Sequence, residues 1–339
     1  MERNEHGEQR VITKSAETRG GLSWFAAALS LAAGLLLAPA ARAEDVRKQE
    51  RVSFYFAAHE DDWQLFMNPS AFMDVTDPKT KTVFIHVTAG DAGVGMGTGG
   101  RKHPYYLARE NGAEVAIRFM ADAGERPAER VVSAPVLNGH QVYRVSYRNT
   151  EIYFLRLPDG HPHGVGFAET GYQSLERLAK GELGVFSAID TSTAYRGWTD
   201  LVATVRAIVD HERGQARSVQ LNVTESNERF KVADHSDHTM TTKLALEAAK
   251  DLSCARRVHY VDYASKDLPE NLVGQQRDLE SSVLAVTGAG ILALDHANVW
   301  HPYHRSYLGR NYFRIEEGTG QCSGPVSKTL QTVSARPTK

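Results

Sequence analysis

Residues 51–63 read RVSFYFAAHEDDW, so an apolar, aromatic segment runs directly into one histidine and three acidic residues. The side chains of 51–57 predict a buried strand. Three neighbouring carboxylates repel each other, and ligands usually bind at the carboxyl ends of the strands in an α/β sheet. The stretch therefore predicts a strand of an α/β sheet with a polar binding site at its end.

The acidic end of this strand has the residue types of a metal site. His59 and Asp62 lie within one turn and supply a nitrogen and an oxygen ligand, while Asp61 remains free to move a proton. The alternative is a solvated acidic turn that only caps the next helix, because acidic residues are favoured at helix N-termini.

A second polar motif lies far along the chain, where residues 233–238 read ADHSDH. The apolar residues behind it repeat at every fourth position, as expected for a helix: Leu244, Ala248 and Leu252. Ser236 is a suitable N-cap, which places His235 and His238 about one turn apart at the start of that helix. On its own, such a pair is more often two ordinary surface or core histidines.

The two motifs complete each other as a ligand set. His59, Asp62 and one histidine of the second motif would give a tetrahedral metal ion three protein ligands and leave its fourth position open for water. The other histidine would remain for chemistry. Cys254 and Cys322, the only cysteines, lie in neither motif, so the predicted ligands are nitrogen and oxygen atoms.

These motifs resemble those of the LmbE-like (PIG-L) deacetylases, zinc hydrolases that remove an acetyl group from N-acetylglucosamine units. The family sequences Ala/Pro-His-Pro-Asp-Asp and His-Pro-Asp-His correspond here to AHEDD at 58–62 and HSDH at 235–238. Glu60 and Ser236 stand where the family has proline, which removes backbone rigidity but no ligating side chain. The resemblance extends from residue 51 to about residue 265.

Three shorter matches follow the family's order between the two motifs. They are TAGDAG at 88–93, an arginine at 109 and LPDG at 157–160. The resemblance implies that these segments supply the substrate-binding residues Asp91, Arg109 and Asp159.

The resemblance also implies a role for each residue of the two motifs. The implied ligands of one Zn²⁺ ion per chain, or of another divalent metal, are His59, Asp62 and His238. The implied catalytic residues are Asp61, His235 and Asp237. Asp61 moves the proton of the attacking water. His235, if protonated, stabilises the oxyanion or supplies a proton to the leaving amine, and Asp237 orients His235.

The rest of the chain predicts an α/β fold, a Rossmann-like, mostly parallel sheet flanked by helices with an antiparallel meander at one edge. Further strands are predicted at 81–88, 218–223 and 258–263, and helices at 199–212, at 279–286 and from residue 104 onward. The third of these helices is predicted to pack on the sheet through Ala108, Gly112, Val115 and Phe119.

The antiparallel meander is predicted at residues 131–157. Asn138-Gly139 is a strong hairpin signal, and apolar residues alternate with polar ones around Val145. Residues 95–100, GMGTGG, match the spacing of a dinucleotide-binding fingerprint but lack its βαβ context, which favours a flexible loop over the site.

Several aromatic and histidine residues lie outside the motifs. Trp63, Trp198 and Tyr195 are candidates for stacking on sugar faces or for packing in the core. His301 and His304 form another His-x-x-His pair, but Pro302 lies between them and no acidic residue is close in sequence, which argues against a metal site there.

The first 43 residues have the pattern of a secretory signal peptide, an apolar run at 22–37 followed by Ala41-Arg-Ala43. This predicts a mature chain that begins at Glu44, is exported to the periplasm or the extracellular space and keeps no membrane span; an uncleaved anchor is the alternative. The predicted deacetylase domain is 44–270, followed by a C-terminal extension at 271–324 and a disordered tail at 325–339.

The sequence thus predicts a metal-dependent N-deacetylase that hydrolyses the amide of an N-acetylated amino sugar or glycoconjugate. Two alternatives remain, a non-catalytic exported glycan-binding protein and a metal hydrolase that cleaves another ester or a phosphodiester bond. The net charge of −2, from 39 basic and 41 acidic residues, gives no indication of a nucleic-acid partner. In an exported protein the two cysteines would form a disulfide or remain free thiols, and the sequence favours neither.

Overall fold

The computed structural model describes residues 50–227 and 234–322. The predicted signal peptide and the predicted disordered tail lie outside these residues. The strands are β1 (Arg51–Ala57), β2 (Thr80–Thr88), β3 (Val131–Ser133), β4 (Val136–Leu137), β5 (His140–Gln141), β6 (Tyr143–Tyr147), β7 (Thr150–Leu157), β8 (Phe186–Ser187), β9 (Ala194–Tyr195), β10 (Ser218–Thr224), β11 (Arg256–Tyr260) and β12 (Phe313–Glu316). The α-helices are α1 (Asp62–Phe66), α2 (Ser70–Thr76), α3 (Tyr105–Asp122), α4 (Leu175–Ala179), α5 (Trp198–Arg213), α6 (Ser236–Ala248), α7 (Gln275–Ala293) and α8 (Pro302–Arg305).

Eight of these strands form the central sheet, in the order β12-β11-β10-β1-β2-β7-β6-β3. The five strands from β11 to β7 are parallel. At one edge β12 pairs antiparallel with β11, and at the other β6 pairs antiparallel with both β7 and β3. The predicted α/β fold with an antiparallel edge meander is therefore confirmed. Asn138 and Gly139 connect β4 and β5 with φ angles of 50° and 82°, as a tight two-residue hairpin requires.

The strand β1 is the point at which the chain reverses its direction across the sheet. The chain proceeds from β1 through β2 to β7 on one side, and later adds β10 and β11 on the other side of β1. In open α/β sheets a crevice forms outside the carboxyl ends of the strands at such a reversal. The carboxyl ends of β1 and β10 therefore border this crevice.

Alternate side chains of β1 enter two hydrophobic cores. Phe54 and Phe56 pack in a core with α5 and α6, whereas Tyr55 and Ala57 pack in a second core with α1, α2, α3 and α7. This alternation is the period-2 pattern of a strand covered on both faces. The predicted buried face of α5 is confirmed by Leu201, Val205 and Ile208, which have no exposed surface.

The helix α3 packs differently from the prediction. Its small residue Gly112 faces α7, where an added β-carbon would lie 2.9 Å from the Thr287 carbonyl oxygen, and Gly290 of α7 approaches Gly112 in return. Phe119 is 43 % exposed, so it is not part of the buried face. The glycines therefore serve close helix–helix packing and not helix–sheet packing.

The C-terminal extension contributes elements to this fold. The helix α7 covers α3, and β12 pairs with β11 at the sheet edge. Cys254 and Cys322 form a disulfide bond that closes a separation of 68 residues. Within residues 50–227 and 234–322, no helix combines the length and the apolarity needed to cross a membrane.

Candidate metal centre

The polar residues singled out in the sequence follow the carboxyl ends of the parallel strands. His59 and Asp62 follow β1, Asp91 follows β2 and Asp159 follows β7. His235 directly precedes α6, the helix that comes after β10. All belong to one edge of the sheet because these strands are parallel. The fold therefore brings residues separated by more than a hundred positions to the crevice beside β1.

Asp62 lies between two imidazoles. Its Oδ2 accepts a hydrogen bond of 2.9 Å from the backbone N–H of His59, which fixes the carboxylate. Its Oδ1 then lies 3.4 Å from Nδ1 of His59 and 3.2 Å from Nε2 of His238. One donor atom from each of the three residues lies within 4.8 Å of the others. His59, Asp62 and His238 thus form a buried group with two nitrogen donors and one oxygen donor.

The orientation of His238 is fixed from behind by two carboxylates. Its Nδ1 lies 2.7 Å from Oδ1 of Asp234 and 3.5 Å from Oδ2 of Asp262, the first acidic residue after β11. Its Nε2 is buried and has no hydrogen-bond partner among the described residues. Carboxylates that hold the outer nitrogen of a histidine in this way are usual around metal sites, because they set its tautomer and aim the other nitrogen.

Neither Asp234 nor Asp262 was predicted from the sequence. Asp234 directly precedes the second motif, and Asp262 follows a predicted strand, so the position of an acidic residue after each parallel strand was the available signal. Burial raises the pKa of Asp262 to about 6, although His238 beside it acts in the opposite direction.

His59 also has carboxylates at its second nitrogen. Its Nε2 lies 3.5 Å from Oδ2 of Asp237 and 3.8 Å from Oδ2 of Asp159. With His235, these residues form a second buried group whose donor atoms lie within 4.8 Å of one another. The two groups share His59, and each contains enough nitrogen and oxygen donors to hold a metal ion.

The carboxylates keep the two histidines of the first group protonated when no metal is bound. Burial lowers the pKa of His59, but the carboxylates of Asp62 and Asp237 raise it to about 10. Burial likewise opposes protonation of His238, and Asp62 and Asp234 raise its pKa well above the ordinary value. A metal ion would therefore replace protons at the nitrogens that it binds.

His235 differs from the other two histidines. Burial and the neighbouring imidazoles of His59 and His238 lower its pKa to about 3, so the ring is neutral. Its Nδ1 accepts a hydrogen bond of 3.2 Å from the backbone N–H of Asp237, which places the remaining proton on Nε2. His235 is also the N-cap of α6, in place of the predicted Ser236. It is available as a neutral N–H donor, and not as the protonated histidine considered from the sequence.

Asp237 was predicted to orient His235, and its side chain has wider contacts. Its Oδ2 accepts a hydrogen bond of 2.8 Å from the backbone N–H of Gly160. The same oxygen is 3.5 Å from Nε2 of His59 and 3.8 Å from Nδ1 of His235. Asp237 therefore contacts both histidines and connects the loop after β7 to the start of α6.

The carboxylate of Asp61 pairs with an arginine and not with His59, His235 or His238. Its Oδ1 pairs with Nη2 of Arg109, and Nε of the same guanidinium lies 3.2 Å from Oε2 of Glu60. Asp61 is the N-cap of α1, yet its side chain makes no capping hydrogen bond. The interpretation of this stretch as a simple acidic helix cap is therefore wrong for Asp61, because its carboxylate is held by Arg109.

Asp91 and Asp159, predicted to bind substrate, have different surroundings. Asp91 has no exposed surface, and its two oxygens accept hydrogen bonds of 2.8 Å from the backbone N–H groups of Asp159 and Gly95. It connects the glycine-rich loop to the loop after β7, so in this structure it is a structural residue. Asp159 belongs to the second donor group, with Oδ1 3.7 Å from Nε2 of His235.

The aromatic candidates lie in the core. Trp63 and Tyr195 have no exposed surface, and Trp198 donates a hydrogen bond to Glu247. The exposed aromatic residues near the centre come instead from the C-terminal extension, where Tyr303 is 49 % exposed. Tyr303 packs on Tyr263, whose ring lies 4.9 Å from that of His238.

Comparison with known proteins gives only distant structural similarity. The sequence matches no family model and no curated protein. Among solved structures, an N,N'-diacetylchitobiose deacetylase from Pyrococcus horikoshii is similar with a TM-score of 0.43 and 14 % identity, over 81 % of this chain and 88 % of that one. GalB, a 4-carboxy-2-hydroxymuconate hydratase from Pseudomonas putida KT2440, has a TM-score of 0.37 and 12 % identity, over 83 % and 100 % of the two chains.

Proposed function

We propose that this protein is a metal-dependent hydrolase that removes the acetyl group from an N-acetylated amino sugar or glycoconjugate. The observation that carries the proposal is the convergence of His59, Asp62 and His238 at the carboxyl edge of the sheet, with Asp61 directly before Asp62 in the chain. The choice of an acetamide substrate is supported by the resemblance of the two motifs to the LmbE-like deacetylases.

The three residues of the first group fit a divalent metal ion such as Zn²⁺. They supply two nitrogens and one oxygen, and the buried Nε2 of His238 has no hydrogen-bond partner within the described part of the chain. Three protein ligands are the number found in catalytic zinc sites. When bound there, the metal would activate water at neutral pH and polarise the acetyl carbonyl.

We favour the first group over the second because of what the outer atoms do. Asp234 and Asp262 hold Nδ1 of His238, and Oδ2 of Asp237 lies 3.5 Å from Nε2 of His59, so both ligands have a carboxylate near the nitrogen that does not face Asp62. In the second group, the outer nitrogen of His235, Nδ1, is held by a backbone N–H, and the carboxylate of Asp237 is 3.8 Å from it.

Asp61 is proposed as the residue that moves protons. Its carboxylate pairs with Arg109 and is not one of the three converging donors, so it is not required for metal binding. In amide hydrolysis it would accept a proton from the attacking water as the new C–O bond forms, and deliver a proton to the nitrogen as the C–N bond breaks. The proton lost by water is thereby returned to the leaving amine.

His235 is proposed to stabilise the negative oxygen that develops on the acetyl carbon. The ring is neutral and carries its proton on Nε2, so it can donate a hydrogen bond without supplying a full positive charge. Asp237 anchors this arrangement through its backbone N–H, which binds Nδ1 of His235. Arg109 and Asp159 are proposed to contact the substrate beside these groups.

Export is a separate proposal. It is supported by the signal-like pattern of residues 1–43 and by the Cys254–Cys322 disulfide, since disulfides persist mainly in oxidising compartments. N-terminal sequencing of protein recovered from outside the cytoplasm should give a chain that begins near Glu44. A chain that retains Met1 would contradict signal cleavage.

The activity is tested by measuring acetate released from a panel of N-acetylated mono- and oligosaccharides. The protein is assayed as purified, after metal removal with a chelator, and after Zn²⁺ is restored. The proposal predicts acetate release that disappears on chelation and returns with Zn²⁺. Metal binding without acetate release would favour a different bond, and hydrolysis of acetyl esters or phosphodiesters under the same conditions would identify it. If the metal-loaded protein neither releases acetate nor hydrolyses these other bonds, a glycan-binding role is favoured.

A further inference from the structure

The helix α8 brings a histidine to the carboxylate that Arg109 already holds. Nε2 of His304 lies 3.6 Å from Oδ2 of Asp61, while Oδ1 of the same carboxylate pairs with Arg109. His304 and Asp61 are separated by more than two hundred residues, and the contact exists because the segment after α7 returns to the carboxyl edge of the sheet. One oxygen of Asp61 thus faces a guanidinium and the other faces an imidazole.

The position of His304 is fixed by its neighbours on α8. His301 caps the helix by accepting a hydrogen bond from the backbone N–H of Tyr303, and Pro302 occupies its first turn. The ring of Tyr303 packs against His304 and Tyr307 at centroid distances of 5.4 and 5.5 Å. The His304 side chain is 26 % exposed, which places it at the boundary between Asp61 and solvent.

The two nitrogens of His304 have different surroundings. Its Nδ1 is buried and has no hydrogen-bond partner among residues 50–227 and 234–322, whereas Nε2 faces Asp61. At 3.6 Å the contact is longer than a hydrogen bond. Hydrogen bonds of catalytic groups are often long in unliganded structures and shorten when substrate binds. The geometry therefore favours Nε2 as a donor to Asp61.

We propose that His304 is a positioning residue for Asp61, a role that rests on the proposed hydrolase function. A carboxylate held through one oxygen can still rotate, and a donor on the second oxygen limits that rotation. With Arg109 on Oδ1 and His304 on Oδ2, the Asp61 carboxylate is held in one orientation, directly before the proposed ligand Asp62 in the chain. The C-terminal extension then completes the active site.

The kinetic test compares His304→Ala, His304→Gln and the control Arg305→Gln. Glutamine retains an N–H donor, so His304→Gln should keep nearly the parent kcat, whereas His304→Ala should lower kcat on the order of ten-fold with KM nearly unchanged. Arg305→Gln changes an exposed side chain of the same helix that lies over the Trp300 ring, and should leave kcat unchanged. Thermal unfolding checks that all three variants fold.

Three kinetic outcomes would overturn the proposal. If His304→Ala hydrolyses substrate at the parent rate, Asp61 does not depend on His304. If His304→Gln is as slow as His304→Ala, a hydrogen-bond donor is not sufficient and the positioning role is wrong. Equal losses in His304→Ala and Arg305→Gln would also contradict it, because they would indicate a general displacement of α8.

A measurement that does not require turnover separates this inference from the proposed function. In the metal-loaded protein, Asp61→Asn should shift the NMR signals of the His304 ring, whereas Asp77→Asn, at the opposite edge of the sheet, should not. An inactive parent with this shift would refute the hydrolase and leave the His304–Asp61 contact standing. An active parent without the shift would refute the contact and leave the hydrolase standing.

Discussion

Two clusters of charged residues lie at opposite edges of the same sheet, and they are balanced differently. At the amino edge, Lys81 Nζ is 2.5 Å from Glu212 Oε2 and 3.8 Å from Glu151 Oε1, and Arg144 lies 3.5 Å from Glu212 and 3.7 Å from Glu151. Two carboxylates thus face two permanent cations. We call these four residues the amino-edge cluster.

The carboxyl edge has no such balance. Five buried or half-buried carboxylates surround three histidines there: Asp62, Asp159, Asp234, Asp237 and Asp262. Within the described residues, all ion pairs of these five carboxylates are with histidines. The nearest guanidinium, Arg109, is already paired with Glu60 and Asp61. A cluster that needs a cation from outside the chain is a binding site, whereas a balanced cluster contributes to stability.

The largest expected effect concerns the two adjacent aspartates of the carboxyl edge. Asp61→Asn should keep its metal, because the ligands remain, but should lower turnover by roughly 10²- to 10⁴-fold, the usual scale for a lost acid–base group. Asp62→Asn should lose metal affinity first and regain part of its activity in excess Zn²⁺. Metal analysis and acetate release are measured for both variants, and the reverse pattern would exchange the two roles.

A smaller effect is expected from the carboxylates behind His238. Asp262→Asn should weaken metal binding by roughly 10- to 100-fold, the usual cost of losing an outer hydrogen-bond partner of a ligand. Competition with a metal-binding dye gives the affinity. The matched control is Asp267→Asn, an exposed aspartate five residues further along the chain. Equal affinities in the two variants would show that Asp262 does not support His238.

The smallest effect on the metal, and the clearest on stability, is expected at the amino edge. Glu212→Gln should lower the free energy of unfolding by about 1–3 kcal/mol, because the buried carboxylate is neutralised and Lys81 loses its charged partner. The metal content should not change. Urea unfolding measures the loss, with the exposed Glu125→Gln as control. A change in metal affinity in Glu212→Gln would mean that the two edges are coupled.

This stabilisation should also depend on pH. Burial raises the pKa of Glu212, but Lys81 and the hydrogen bond from Tyr153 together hold it below the ordinary value of 4.5. A carboxylate whose pKa is lowered in the folded state stabilises the protein fully at any pH above its ordinary, unfolded-state pKa. This stabilisation disappears as the pH falls through the lower, folded-state pKa. The difference in unfolding free energy between the parent and Glu212→Gln should therefore be constant at neutral pH and shrink below pH 4.5. A difference that persists unchanged in acid would contradict this origin.

The sequence predicted those features that depend on local patterns. The strands β1, β2 and β10, the helix α5 and the Asn138-Gly139 hairpin follow from side-chain periodicity and turn chemistry, which act over a few residues. The two histidine-containing motifs stood out because several charged residues lie side by side. These signals need no knowledge of which strands are neighbours.

The remaining features depend on tertiary neighbours and could not be predicted in this way. Asp262 supports His238 only because β11 lies beside β10, and His304 reaches Asp61 only because the chain returns after α7. Asp91 matched a motif for substrate binding, yet the loop after β7 supplies the N–H that occupies one of its oxygens. Gly112 of α3 was assigned to the sheet because α7, its partner, lies far along the chain.

The central claim is that His59, Asp62 and His238, and not the overlapping group with His235, bind the metal. The most direct test measures the metal content of the parent protein, of His238→Ala and of His235→Ala. We predict about one metal ion per chain in the parent, a metal content near zero in His238→Ala after dialysis, and nearly the parent content in His235→Ala. Loss of metal from His235→Ala with retention in His238→Ala would contradict the claim and assign the metal to His59, Asp159, His235 and Asp237.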